Sequence, residues 1–241
     1  MKISIAMATY NGERYIKQQI ESILKQMKDN DELIISDDAS FDNTVGIINL
    51  YKNSNIKVYI NSCRKGVVSN FENAIKHCKG DIIVLSDQDD IWAPNKLEII
   101  RHYFLKTNYD ILVHDAIIID DKANQINDSF YKFRHSGPGV LKNIFKNTYI
   151  GCCMAFKNSL NIIILPFPKN LPMHDMWIGI LGNIFGKVIF INNKLTYYRR
   201  HEKNSTNFNK SNFKNILIWR MNLIYNIIKR YFKIYYGKEN K

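Results

Sequence analysis

The stretch LSDQDDIW, residues 85–92, sets Asp87, Asp89 and Asp90 within four positions, directly after an apolar run. On extended backbone, residues two apart point the same way, about 6.5 Å along the chain, so Asp87 and Asp89 are placed to face one site. Neighbouring carboxylates raise each other's pKa unless positive charge joins them. A hard divalent cation does this well. Mg²⁺ takes one or two carboxylates and leaves its other positions to water and phosphate oxygens. The competing reading is a solvated loop in which Asp90 favours the N-terminus of the next helix.

Other polar clusters also follow apolar runs. Thr9-Tyr10-Asn11-Gly12-Glu13 succeeds ISIAMAT, and Asp37-Asp38 closes ELIISDD. Each has a structural alternative. Asn11-Gly12 suits an ordinary turn, Asp37-Asp38 suits a cap, and Glu13 suits a helix N-terminus.

The elements that must position these groups alternate over the first 120 residues. Strand-like runs are ISIAMAT, ELIISDD, KVYIN, DIIVLSD and DILVHDAIIID, and helical patterns cover residues 13–27, about 42–53, 67–78 and 94–106. Pro94 suits the first turn of the last of these helices. Short apolar runs alternating with helices predict βαβ units and a mostly parallel sheet buried on both faces. In such sheets ligands bind beyond the carboxyl ends of the strands, where the polar clusters fall. Further on, residues 121–139 read as a loop ending in SGPG. A helix at about 140–147 and a strand YIGCCMAF follow; then come a loop entering a helix near 174, and two short strands, KVIFIN and LTYYRR.

Composition limits the remaining choices. The chain has 241 residues, 46% of them hydrophobic, enough for one large domain with an appendage. Its net charge of +12 is uneven. Residues 1–136 hold 17 Lys and Arg against 19 Asp and Glu, and residues 137–241 hold 17 against 3. One basic surface, rather than a generally nucleic-acid-coating protein, is expected. The four cysteines lack metal-site spacing, and adjacent Cys152 and Cys153 suit neither a zinc site nor a disulfide framework. The opening MKISIAMATY reads as a strand rather than a signal peptide. No run reaches the roughly 18 apolar residues of a spanning helix. A reducing, cytoplasmic setting is the expectation.

MATYNGERYIKQQIESIL, IISDDASFDNT, RKGVVSNFENAI and LSDQDDIWAPNKLE occur together in this order and spacing. Through them, residues 1–205 resemble the family 2 glycosyltransferases, whose fold is GT-A. AMATYNGE, MHDMWI and YYRRHEKNST make the chain most similar to bacterial rhamnosyltransferase-type enzymes of surface polysaccharide synthesis. The resemblance implies an inverting enzyme that uses a nucleoside diphosphate sugar, dTDP-rhamnose or a UDP-hexose, and Mn²⁺ or Mg²⁺. It implies that Thr9, Tyr10, Asn11 and Glu13 border the nucleotide and that Asp38 meets the base or ribose. Arg64, where the family often has Asn, and Asn70 lie near the donor. Asp87 contacts ribose or metal-bound water, and Asp89 ligates the metal. It divides the chain into a GT-A domain over 1–210, with a nucleotide-sugar half to 120 and an acceptor half beyond, and a tail from 211.

An acceptor hydroxyl loses a proton as it attacks the anomeric carbon, and a positioned carboxylate is a suitable base. Asp175 in MHDMW matches the family's acidic position; it also suits a helix's first turn. His174 fits a structural or acceptor-contacting role better than that of a base, and Asp115 in LVHDA is a second candidate for acceptor contact. In YYRRHEKNST, Arg200 is placed to approach the diphosphate, the resemblance implies that His201 is a third metal ligand, and Arg199 is expected to face solvent. Such segments close over a donor and exclude water. In the tail, at 100° per residue, Asn222, Asn226, Lys229, Arg230 and Lys233 share an arc of about 100°. Apolar side chains fill most of the rest. This basic amphipathic helix, residues 211–236, suits an anionic bilayer surface, and the expectation is peripheral association with the inner face of the cytoplasmic membrane. Packing on the domain or on a second subunit is the alternative. Two other functions compete with transfer to a lipid-linked glycan. A nucleotidyltransferase would need a Gly-rich phosphate cradle after the first strand, where Tyr-Asn-Gly-Glu stands. A non-catalytic membrane or nucleic-acid binding module would leave the strand-end acids unexplained.

Overall fold

All seven residues of ISIAMAT are buried, because a run with no polar face must lie between two apolar layers. It forms β1 (Ile3–Thr9) in a computed structural model that describes residues 1–62, 65–202 and 213–239. Successive side chains of β1 serve opposite layers: Ile3, Ile5 and Met7 one, Ala6 and Ala8 the other. The chain continues through α1 (Ile16–Leu24), β2 (Glu32–Asp37), α2 (Thr44–Asn49), β3 (Ile56–Ile60), α3 (Val67–His77) and β4 (Ile82–Asp87). After the acidic loop come β5 (Ile91–Trp92), α4 (Lys96–Lys106), β6 (Ile111–Ile119), β7 (Gln125–Asn127), α5 (Phe130–Arg134) and α6 (Val140–Phe145). The last elements are β8 (Met154–Lys157), α7 (Asn161–Ile164), α8 (His174–Phe185), β9 (Val188–Arg199) and α9 (Phe213–Glu239).

The strands form one sheet in the order β3-β2-β1-β4-β8-β6-β9-β5, with β7 on β6. Strands β1 to β4 pair in parallel, as expected. The short β8 is antiparallel to both β4 and β6. Helices α1 and α4 cover one face through Ile16, Ile20, Leu97 and Ile100. Helices α3 and α8 cover the other through Phe71, Ile75, Trp177 and Leu181.

Several boundaries differ from the sequence reading. KVIFIN and LTYYRR are a single strand, β9. Its pairing with β6 shifts register around Asp115, so that His114 lies opposite Ile191 but Asp115 opposite Lys194. This irregularity absorbs the polar Asn192-Asn193-Lys194, which the sequence presents as a break. In YIGCCMAF only the end is strand, because Gly151–Cys153 forms a 3₁₀ turn. Helix α4 starts at Lys96, with Pro94 in the preceding turn. The expected loop 121–139 holds β7 and α5, the latter capped by Ser129 Oγ accepting from the Lys132 amide.

Helix α9 is anchored by Leu223 and Ile227, both buried in the core. Among the described residues no helix is long and apolar enough to cross a membrane.

Candidate active site

The site is built where the carboxyl ends of β1, β2 and β4 meet the end of β9 and the start of α8. The pairing of β5 with β9 sets Ile91 opposite Tyr197 and brings the acidic loop against residues 199–201. Asp89 Oδ2 and His201 Nε2 lie 2.8 Å apart, and the imidazole stacks on Tyr15 at 4.9 Å between centroids. The two side chains thus meet from positions 112 residues apart in the chain. The Asp87 carboxylate groups with Asp90 and the Cys152 sulfur, their ligand atoms within 4.8 Å of one another. Burial pushes the Asp87 pKa well up, and Asp90, Asp89 and Asp175 push it further. Asp90 is raised to about 7, by burial and then by Asp89. Its Oδ1 accepts from the Arg199 amide at 3.0 Å, while its buried Oδ2 has no hydrogen-bond donor.

Lys96 stands behind these acids. Lys96 is fully buried; its Nζ donates to the Cys152 carbonyl (2.8 Å) and Thr196 Oγ1 (2.9 Å) and lies 4.0 Å from the Trp92 ring centroid. Burial lowers its pKa to about 8 despite the acids. Carboxylate and imidazole donors, an orphaned Asp90 oxygen and raised carboxylate pKa values together fit a hard divalent cation.

On the nucleotide side, Thr9 Oγ1 donates to Asp37 Oδ2 at 2.8 Å, and the Thr9 carbonyl accepts from Asn70 Nδ2 at 2.9 Å. Asn70 Oδ1 is buried without a partner. Asp38 is buried and accepts from Asn61 Nδ2 (2.9 Å) and the Gly66 amide (2.7 Å), which fixes the loop leading into α3. The amides of residues 10–13 are all spoken for: Tyr10 donates to Gln88, Asn11 to Ser40, Gly12 to Thr44 and Glu13 to Asp42. Glu13 Oε2 accepts from the Asn43 amide. Asn11 takes the left-handed φ of 48° that an Asn tolerates in a turn. A Cβ on Gly12 would lie 2.2 Å from Gln88 Oε1, so glycine lets Gln88 clasp the Tyr10 backbone.

Asp175 sits in the first turn of α8 and is buried. Its Oδ1 accepts from the Met176 amide (2.6 Å) and Asn147 Nδ2 (3.2 Å), while burial raises its pKa to about 6. His174 is stacked on Phe71 at 4.0 Å, and neither ring nitrogen has a partner. Burial lowers its pKa to about 3, which makes it a neutral packing group. Asp115 accepts from the amides of Ala116 and Tyr131 and from Ser129 Oγ, so its carboxylate is bound up in holding the 129–131 turn. It also lines a cavity of about 360 Å³ with Lys132 and Lys194.

Arg199 is buried, contrary to the expectation of solvent exposure. Its Nε donates to the Asp89 carbonyl (2.8 Å), one terminal nitrogen to the carbonyls of Asp120 and Asp121, and the other to Gln18 Oε1 (2.8 Å). Arg200 is half-buried, with its amide on the Ile119 carbonyl and its side chain on Tyr198. Arg64 lies outside the described residues, as does the segment 203–212 of the expected lid and tail. Gln88, Lys96, Cys152 and Arg199 were not selected from sequence. Only their long-range partners mark them, apart from the place of Gln88 within the acidic triplet.

A mostly parallel sheet with acids gathered at its strand ends is the GT-A type of nucleotide-sugar-binding fold. Residues 4–163 match the family described as Glycosyl transferase family 2, and the chain belongs to that family. It is 33% identical over 181 residues to the UDP-Glc:alpha-D-GlcNAc-diphosphoundecaprenol beta-1,3-glucosyltransferase WfgD of Escherichia coli, covering 74% of this chain and 69% of that one. It is 31% identical over 222 residues to the dTDP-rhamnosyl transferase RfbG of Shigella flexneri, covering 85% and 75%. In fold it is similar to S. aureus TarS 1-349 in complex with UDP-GlcNAc, with a TM-score of 0.73, 20% identity, and 94% of this chain against 67% of that one. In another TarS 1-349 structure the chain spans 60% of the length.

Proposed function

We propose that this chain transfers a sugar, with inversion, from a nucleoside diphosphate sugar to a lipid-linked glycan in surface polysaccharide synthesis. The observation that carries this reading is the meeting of Asp89, His201, Asp87 and Asp175 at the strand ends beside the Thr9–Asn70 corner. Relatives named for UDP-Glc and dTDP-rhamnosyl transfer support the two candidate donors, and the diphosphoundecaprenol of one name supports a lipid-linked acceptor.

In this reading Tyr10 borders the nucleotide with its exposed ring, which meets Phe41 edge-to-face at 6.2 Å, so that both offer aromatic surface to a base. The unpartnered Asn70 Oδ1 accepts from the donor. Thr9, Asn11, Glu13 and Asp38 act by fixing the loops, since their polar groups are held within the protein. Arg200 reaches the diphosphate. Asp89, Asp87 and His201 hold Mn²⁺ or Mg²⁺, which when bound neutralises the diphosphate as leaving group. Asp175 removes the proton from the acceptor hydroxyl. The acceptor oxygen attacks the anomeric carbon while the bond from that carbon to the diphosphate oxygen breaks. A pKa raised to about 6 makes Asp175 a stronger base than an ordinary aspartate, yet still mostly ionised at neutral pH.

The occupied amides of residues 10–13 leave no backbone cradle for a nucleotidyltransferase's triphosphate. The protein works from the cytoplasmic membrane surface, held there by α9. A panel of dTDP- and UDP-sugars, each with a lipid diphosphate acceptor and with metal present or chelated, tests the reading. Transfer indifferent to chelation, or release of diphosphate from a nucleoside triphosphate in its place, would reject it.

A further inference from the structure

Helix α9 buries Leu223 and Ile227, and its polar stripe borders a groove beside them. Asn222, Asn226, Lys229 and Lys233 follow one another at helical spacing along a single stripe, and this stripe lines a cavity of about 740 Å³ against the body of the domain. Across the cavity lies the loop 166–170, which contributes Lys169, and Trp177 of α8 lines it as well. The opposite sector of the helix faces solvent with large apolar side chains: Met221, Ile224, Ile228, Tyr231, Phe232 and Tyr235 are each between 41% and 63% exposed. The basic arc that the sequence suits to an anionic bilayer surface forms one wall of a groove whose rim is continuous with an apolar face.

The cations of this groove are not spent on carboxylates. Among the described residues, Lys169, Lys229 and Lys233 form no ion pair, and the one acid in the lining, Glu72, is paired with Lys76 at 2.7 Å. Arg230 has a separate task. It donates to the carbonyls of Ile163, Leu165 (3.0 Å) and Pro166 (2.6 Å) and stands 5.2 Å over the Trp177 ring. It thereby ties α9 to the loop and fixes the width of the groove. Three unpaired ammonium groups around one concave surface attract an anion of high charge density, and the two asparagines add neutral donors.

We infer that this groove binds the diphosphate of a lipid-linked acceptor whose hydrocarbon chain runs along the exposed apolar sector of α9. The inference rests on the proposed reading of the chain as a transferase with a lipid-linked acceptor. Two features select a membrane-borne diphosphate over a soluble one. The apolar sector needs cover that water does not give, and charge and apolar surface lie side by side, as head and chain do in one molecule. Trp177 and Glu72 stand on α8 and α3, the helices that carry Asp175 and Asn70, so the groove and the transfer site are built on two shared elements.

The test is calorimetry on the full chain with farnesyl diphosphate, inorganic pyrophosphate, UDP and dTDP, and co-sedimentation with phosphatidylcholine vesicles with and without phosphatidylglycerol. The variant is Lys229→Gln/Lys233→Gln, both positions exposed, with Arg230 kept so that the loop stays tied. Wild type should bind farnesyl diphosphate more tightly than pyrophosphate, without displacing UDP. The variant should lose about thirtyfold in farnesyl diphosphate affinity, about five- to sixfold for each lysine at about 1 kcal/mol per surface-proximal charge, with UDP affinity and melting temperature unchanged. Farnesyl diphosphate binding that competes with UDP, or that survives in the variant, would place the diphosphate in the donor site and overturn the inference. So would a variant that loses only phosphatidylglycerol vesicles, because the lysines would then serve the bilayer surface. Wild type that binds UDP but no farnesyl diphosphate sinks the groove and spares the transferase reading. Wild type that binds neither UDP nor dTDP sinks that reading.

Discussion

Asp89 Oδ2 and His201 Nε2 are 2.8 Å apart although 112 residues separate them in sequence. The contact exists because β5 pairs with β9, which carries the acidic loop to the residues just after the last strand. Asp89→Ala removes the oxygen proposed to bind the metal without opening the core. Metal-dependent binding of the nucleoside diphosphate should be lost and the melting temperature kept. Calorimetry with the nucleotide and Mn²⁺ reads both affinity and metal dependence; an unchanged result removes Asp89 from the metal site.

Asp175→Asn keeps the side chain's shape and its acceptor oxygen for the Met176 amide, but an amide cannot take a proton. Nucleotide binding should persist and transfer should fall by several orders of magnitude. In the wild type, kcat/KM should drop about tenfold per pH unit below about pH 6, the acid limb set by Asp175. Near-normal turnover of the variant excludes Asp175 as the base.

The same substitution has a stability signature of defined sign. The folded pKa of Asp175 is raised from 3.8 to about 6, so the folded state holds this proton more tightly than the unfolded chain does. The wild type therefore loses stability as pH rises from about 4 to about 6 and does not regain it above. Asp175→Asn does not titrate. The metal-free variant should be more stable than wild type at pH 8, by up to about 3 kcal/mol, with the difference closing by pH 4. Urea unfolding at the two pH values measures it.

Arg199 joins the acidic loop to the 120–121 turn and to α1 through buried donors. Arg199→Met leaves those acceptors without a donor, and a loss of about 3–5 kcal/mol is expected. Arg199→Lys should recover only part of it, since an ammonium lacks the planar fork. The urea midpoint reports the loss. Donor affinity should fall in step, because the Asp89 carbonyl is one of the abandoned partners.

If α9 rests on an anionic bilayer, the intact protein should co-sediment with phosphatidylglycerol vesicles at low salt and less so at high salt. Attraction of about 1 kcal/mol per surface-proximal basic residue adds to burial of the apolar sector. Removing residues 213–241 should shift it to the soluble fraction while transfer to a short soluble acceptor continues. A truncated protein that unfolds would show that Leu223 and Ile227 tie α9 into the core too tightly for a detachable anchor.

The parallel half of the sheet was legible in the sequence, since ISIAMAT, ELIISDD and DIIVLSD are buried strands whose apolar runs carry no second meaning, and KVYIN is the half-exposed strand at their edge. The polar clusters at their ends were legible for the same reason: the chain has to leave the core there, and chemistry-bearing residues right after a buried run mark the edge of the sheet. Asp87 and Asp89 stood out by residue type and place, and Asp175 through the family resemblance of MHDMW. Tertiary structure alone decided the rest. Burial of Arg199 follows from the β5–β9 pairing, which no local pattern encodes. The single strand β9 depends on a register shift against β6, and Lys96 faces the acids only because the core closes over it. In α9 the helical period fixed which residues share a face, but not which face meets protein. That was settled by two anchors, Leu223 and Ile227, and by an arginine bound to three carbonyls of a distant loop, contacts whose free energy depends on neighbours far away in the chain.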